Sequence, residues 1–104
     1  MAEKKELCPV EETIKLIGKK WYLMIIFELT KESRRFNELK SCVDGISSKV
    51  LSDCLNTLVQ EELVHREVFS EAPIKVEYSL TEKGSDLMKV FNEMDEWGRK
   101  WVIC

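Results

Sequence analysis

The chain has 104 residues, 44% of them apolar and 34% charged, which is the content of one folded domain with a real core and a solvated surface. The longest apolar run, Trp21 to Phe27, has seven residues, far short of the roughly 20 that cross a bilayer, and the mixed-charge start Met1–Glu6 does not read as a secretory signal, so a cytoplasmic protein is expected. The net charge is −3, with ten basic and nine acidic residues over 15–75 and more acids than bases at both ends, a weak electrostatic footprint for a nucleic-acid binder.

Pro9 suits a first helical turn, Glu11 and Glu12 favour its positive dipole end, and Val10, Thr13, Ile14 and Ile17 make an apolar stripe that Gly18 ends. Trp21–Leu29 reads as a second helix, apolar on most sides and therefore central. Ser33–Arg35 reads as a connector or short strand. Phe36, Leu39 and Val43 mark a short third helix, and Asp44-Gly45 a turn. Ser47 or Ser48 then caps a fourth helix over about 48–61, with Leu51, Leu55, Leu58 and Val59 on one face and Lys49, Ser52, Asp53, Asn56 and Gln60 on the other.

Val64, Arg66 and Val68, then Val76, Tyr78 and Leu80, alternate as two strands. Ser70–Lys75 between them predicts a hairpin loop of about six residues. Thr81 caps a last helix over about 82–102, striped by Leu87, Val90, Phe91, Met94, Trp97 and Trp101. The expected fold is α+β and mainly helical. It is a single domain over 1–104 in which a helix-turn-helix (about 36–61) precedes a two-stranded wing (about 64–80).

A helix that projects after a tight turn fits the major groove of B-DNA, where its N-terminal residues reach base edges. Here those residues are Ser47, Ser48, Lys49, Ser52 and Asp53. Small hydroxyls permit close approach, Lys49 suits a phosphate or a guanine edge, and the helix N-terminal amides attract phosphate. No catalytic or nucleotide-binding motif occurs, and the one histidine, His65, supports no triad, so an enzyme is not expected. The four cysteines, at 8, 42, 54 and 104, form no CxxC pair, so neither a metal nor a cofactor is expected and free thiols are the default.

Cys8-Pro9-Val10-Glu11, Leu16–Trp21, Arg35–Leu39, Gly45–Leu51 and Val76–Gly84 occur in an order and spacing that resemble the HxlR family of bacterial transcriptional regulators, over about residues 7–98. The resemblance implies a winged-helix homodimer on double-stranded inverted-repeat operator DNA, paired through its first and last helices. Val10, Ile14, Phe91, Met94, Trp97 and Trp101 would lie in the pairing face. Arg35 and Lys75 would bind phosphate, and Ser47, Ser48, Lys49 and Ser52 would face the groove, with Asp53 and Asn56 as further contacts. A repressor is the commoner outcome in such folds, and the inducer is unknown.

The resemblance also implies a thiol sensor at Cys8, before the first helix, where the dipole favours thiolate; its partner would be another cysteine across the dimer, for which Cys42 is a candidate by its place near the reading head. The alternatives left open are an inert Cys8, a winged-helix protein-interaction module, and a regulator holding a small molecule against the last helix.

Overall fold

The computed structural model describes residues 7–103. The elements are α1 (Pro9–Ile17), α2 (Lys20–Lys31), α3 (Phe36–Cys42), α4 (Ser48–Gln60), β1 (Val64–Glu71), β2 (Ile74–Leu80), α5 (Glu82–Ser85) and α6 (Met88–Trp101). This is the expected mainly helical α+β fold with a two-stranded wing. No helix among the described residues is long and apolar enough to cross a membrane.

The core gathers Ile17, Ile25, Ile26, Leu29, Leu39, Val43, Ile46, Leu51, Cys54, Leu55, Leu58, Leu63 and Val64. Helix α2 runs through its centre. The short α3 and the longer α4 pack around α2, each turning one apolar face inward, and α6 closes on α2 from the other side through Phe91, whose ring meets Phe27 edge-on at 5.7 Å. Burying a Leu or Ile side chain contributes about 1.5–3 kcal/mol each before entropy is counted.

Two backbone positions fix how α4 stands. Gly45 lies at φ +85°, a left-handed conformation that a side chain would strain, and it reverses the chain between α3 and α4. At the other end, Glu62 adopts φ 63°, and the amides of Glu62 and Leu63 donate to Val59 O and Leu58 O at 3.0 Å each. That pattern closes the last carbonyls of α4, and it is usually built on glycine.

The wing is a regular antiparallel ladder from Val64↔Leu80 to Glu71↔Ile74, interrupted once by a bulge at Phe69 between the Val68↔Val76 and Ser70↔Lys75 pairs. The six-residue loop expected over Ser70–Lys75 is thus corrected to a tight turn at Ala72-Pro73, because strand pairing continues past the bulge almost to the tip. The Ser33–Arg35 connector touches this sheet as a bridge, with Arg34 N and Tyr78 N donating to each other's carbonyls at 3.0 and 2.8 Å.

The single last helix expected over 82–102 is also corrected: α5 stops at Ser85 and α6 starts at Met88. The break has a packing cause. The Thr81 hydroxyl accepts from Gly84 N and donates to Glu62 O at 2.6 Å, and Thr81 N donates to Leu63 O at 3.1 Å. Lys83 Nζ reaches Glu61 O at 2.8 Å. These bonds pin α5 to the α4–β1 junction, and α6 leaves in its own direction.

Candidate nucleic-acid interface

The N-terminus of α4 is open to solvent. Ser47 is its cap, accepting from Val50 N at 3.1 Å, and Ser48, Lys49, Ser52, Asp53 and Asn56 are all exposed on one side of the helix. The opposite side, Leu51, Cys54, Leu55 and Leu58, is buried. The helix therefore stands on the core and shows its polar face, as a groove-entering helix must.

Lys49 Nζ lies 3.2 Å from Asp53 Oδ2, with 84% and 64% of the two side chains exposed. Arg35 caps α3, where its N–H donates to Glu38 Oε1 at 2.8 Å, and its guanidinium is exposed. The neighbouring Arg34 is differently employed. It is largely covered and sits 3.6 Å from both Glu28 and Glu32, so it serves the body of the domain. Lys75 is exposed on β2, next to the turn at the wing tip, where Phe69 and Ile74 also stand exposed.

Sequence reasoning passed over Lys19 and Lys20. Both are exposed at the start of α2, immediately before Trp21, whose ring edge lies 3.9 Å from where a Cβ on Gly45 would sit. They add positive charge beside the turn that launches α4. The only signal for them is spatial, since 28 residues separate Trp21 from Lys49 in the chain.

Three thiols are free among the described residues: Cys8 is exposed at the N-cap of α1, Cys42 is half-buried at the end of α3, and Cys54 is buried under α4. Cys104 lies outside the described residues. Burial pushes the Cys54 thiol above its ordinary range, the Asp53 carboxylate adds to that shift, and Lys19 opposes it.

The residues expected at a pairing face are mostly uncovered. Val10 and Ile14 of α1 are 67% and 60% exposed, and Met94, Trp97 and Trp101 of α6 are 51%, 62% and 62% exposed. Phe91 differs: it is half-buried against Phe27 of its own chain. An apolar groove of about 410 Å³ runs between α1 and α6, lined by Val10, Ile14, Leu23, Val90 and Met94. A second, of about 450 Å³, continues from Val90 and Met94 along Trp97 to Ile103.

Residues 16–103 match the HxlR-like helix-turn-helix family. Over 98 residues the chain is 37% identical to YvaP of Bacillus subtilis, an uncharacterized HTH-type transcriptional regulator, covering 93% of this chain and 91% of that protein. Among solved structures it is similar to the reduced form of the transcriptional regulator YodB from B. subtilis, with a TM-score of 0.81 and 41% identity over 93% of this chain and 96% of that one. It is equally similar to the redox regulator HypR in its oxidized form, with a TM-score of 0.81 and 40% identity over 89% of this chain and 96% of that one.

Proposed function

The chain belongs to the HxlR-like helix-turn-helix family of transcriptional regulators, and from that premise we propose that it works as a homodimeric repressor on an inverted-repeat operator, with Cys8 as a thiol sensor. The observation that carries the DNA reading is the exposed polar side of α4, a helix whose other side is locked into the core. Ser48, Lys49, Ser52 and Asn56 face the major groove, and Ser47 with the first amides of α4 meets a phosphate. Arg35 and Lys75 hold the backbone on either side, and Lys19 and Lys20 add to the same field.

The pairing supports twofold symmetry. Val10, Ile14, Met94 and Trp97 line apolar grooves that meet at Val90 and Met94 on α1 and α6, with Trp101 exposed one turn beyond Trp97, a surface that a lone subunit leaves in water and that marks an interface. A second copy covers it and sets two α4 helices about one DNA turn, roughly 34 Å, apart. Phe91 belongs to the supporting layer beneath this surface.

For the sensor, the supports are an exposed Cys8 at the N-cap of α1, a helix of the proposed pairing face, and a relative described as a redox regulator. An electrophile alkylates the Cys8 thiol, or an oxidant such as diamide takes two electrons and two protons from Cys8 and Cys42 and joins them as a disulfide; either alters the pairing and releases DNA.

Selection of bound duplexes from a random pool, with thiols reduced and after diamide, tests both parts. An inverted repeat recovered only from reduced protein is expected, and Cys8→Ser should keep binding in diamide. Recovery of no preferred sequence by reduced protein would defeat the DNA reading, and unchanged diamide release in Cys8→Ser would defeat the sensor. Arg35→Ala and Lys75→Ala should each weaken all duplexes alike and reduce the slope of log K against log salt by about 1.8 per dimer, one phosphate contact being lost from each subunit.

A further inference from the structure

We infer that Asp53 is a specificity-determining residue of α4: it holds the Lys49 ammonium away from the phosphate backbone and admits it only to a G·C pair. The inference rests on the DNA-binding reading above and adds a role for a carboxylate that would otherwise repel DNA.

The Lys49–Asp53 pair is set the wrong way round for a helix. Anions are favoured near the N-terminus and cations near the C-terminus, and an i,i+4 pair with the acid first is the better one. Three other intrahelical pairs place the acid first: Glu12–Lys15 and Glu28–Lys31 at i,i+3 and Asp95–Arg99 at i,i+4. In α4 the lysine comes first, in a first turn that contains no acid, and the aspartate follows a turn later. A pair this exposed shifts a folding equilibrium by only about twofold even in the good orientation. Helix stability therefore does not account for it.

Its position does. Lys49 and Asp53 share the exposed side of α4 with Ser48, Ser52 and Asn56, and their charges cancel at 3.2 Å. On non-specific DNA, Lys49 can reach a phosphate only by abandoning Asp53 and bringing a bare carboxylate against the polyanion. On a G·C pair both groups are satisfied at once. Guanine N7 and O6 accept from the ammonium, and the adjacent cytosine N4 amine donates to the carboxylate. The near-neutral charge over 15–75 fits a regulator that gains selectivity by withholding non-specific attraction.

The test uses full-length wild-type protein, Asp53→Ala, Asp53→Asn, Lys49→Ala and the Lys49→Ala/Asp53→Ala double variant. Fluorescence anisotropy reads binding to the selected operator, to operators with each G·C pair exchanged, and to a scrambled duplex, from about 50 to about 200 mM salt. Asp53→Ala should bind the scrambled duplex more tightly, with a salt slope steeper by about 1.8 per dimer as each subunit gains one phosphate contact. It should also lose about tenfold discrimination at one G·C position in each half-site. Asp53→Asn, which keeps an acceptor without the charge, should gain scrambled-DNA affinity yet retain much of that base preference. Lys49→Ala should flatten the scrambled-DNA slope only when Asp53 is absent.

Asp53→Ala with wild-type slope and wild-type base preference would overturn the inference while leaving DNA binding intact. Equal weakening on every duplex would overturn it too, since it would mark Asp53 as a structural residue. Wild-type protein that binds no duplex would instead overturn the reading on which the inference stands.

Discussion

Gly84 offers a sharp test of how the wing is joined to the last helix. A Cβ placed there would meet Leu63 O at 2.2 Å and Leu80 Cδ2 at 3.1 Å. The first contact is with backbone, so no side-chain rotation relieves it, and α5 must withdraw by about 1 Å. Overpacking of this kind costs about 1–3 kcal/mol. The withdrawal also lengthens the Thr81 N to Leu63 O bond, now 3.1 Å, and a bond of that type contributes about 1 kcal/mol. Alanine's better helix propensity recovers up to about 1 kcal/mol, little of it in a helix of one turn. The expected loss for Gly84→Ala is about 2–3 kcal/mol, from a total of about 5–15 kcal/mol for a chain of this size. At about 4–8 °C per kcal/mol the Tm should fall by roughly 10–20 °C. Circular dichroism melts at one fixed protein concentration measure it, since the proposed pairing would make Tm depend on concentration. Ser85→Ala, exposed on the same turn, is the control and should stay within about 0.5 kcal/mol of wild type. A Gly84→Ala protein that melts with wild type would refute the close-packed junction.

Other outcomes are as definite. Trp97→Ala and Trp101→Ala should each raise the dimer dissociation constant about 30-fold or more by sedimentation, as loss of a central aromatic anchor costs about 2 kcal/mol; a variant that stays paired but unfolds more easily would place these rings in the monomer's own structure. Glu62→Gly should stabilise the chain by about 0.5–1 kcal/mol in urea melts, because glycine accepts φ 63° without the side-chain penalty; destabilisation would argue against a left-handed Glu62. Cys54 makes stability fall in alkali. Its thiol pKa is raised in the fold by burial and by Asp53, so the contribution is complete below the ordinary value of 9.0 and is lost as pH rises through and beyond it. The urea midpoint of wild type should drop more between neutral pH and pH above 9.0 than that of Cys54→Ala, and equal drops would refute it.

Most of the reading head was legible because each signal was local. Pro9 at a first helical turn, Asp44-Gly45 before α4, the cap at Ser47 and the 3–4 spacing of Leu51, Leu55 and Leu58 all mean the same thing in any context. The misreadings came where tertiary contacts overrode local pattern. The bulge at Phe69 shifts the ladder by one residue, so alternation stops at Val68 although pairing continues, and the end of the wing looked like a loop. Glu62 bears no mark of a left-handed residue; the buried Leu58 and Leu63 on either side of it force the reversal. The α5–α6 break follows from bonds between Thr81 and Lys83 and residues 61–63, about 20 positions back in the chain. At the interface, the face of α4 could be read from periodicity, whereas Lys19 and Lys20 become relevant only once Trp21 is seen against the turn.

All the buried hydrophobic residues of the core lie between Ile17 and Val64, while α6 buries none of its own. The portion of the chain that would read DNA thus draws little of its buried apolar surface from α6, which adds only half-buried side chains such as Phe91. Two heads yoked through α1 and α6 gain avidity because the second half-site is met at high effective concentration. Loosening the yoke returns each head to its feeble single-site affinity with nothing melted. A regulator built as proposed would be switched off by uncoupling, and would be ready again as soon as the yoke re-forms.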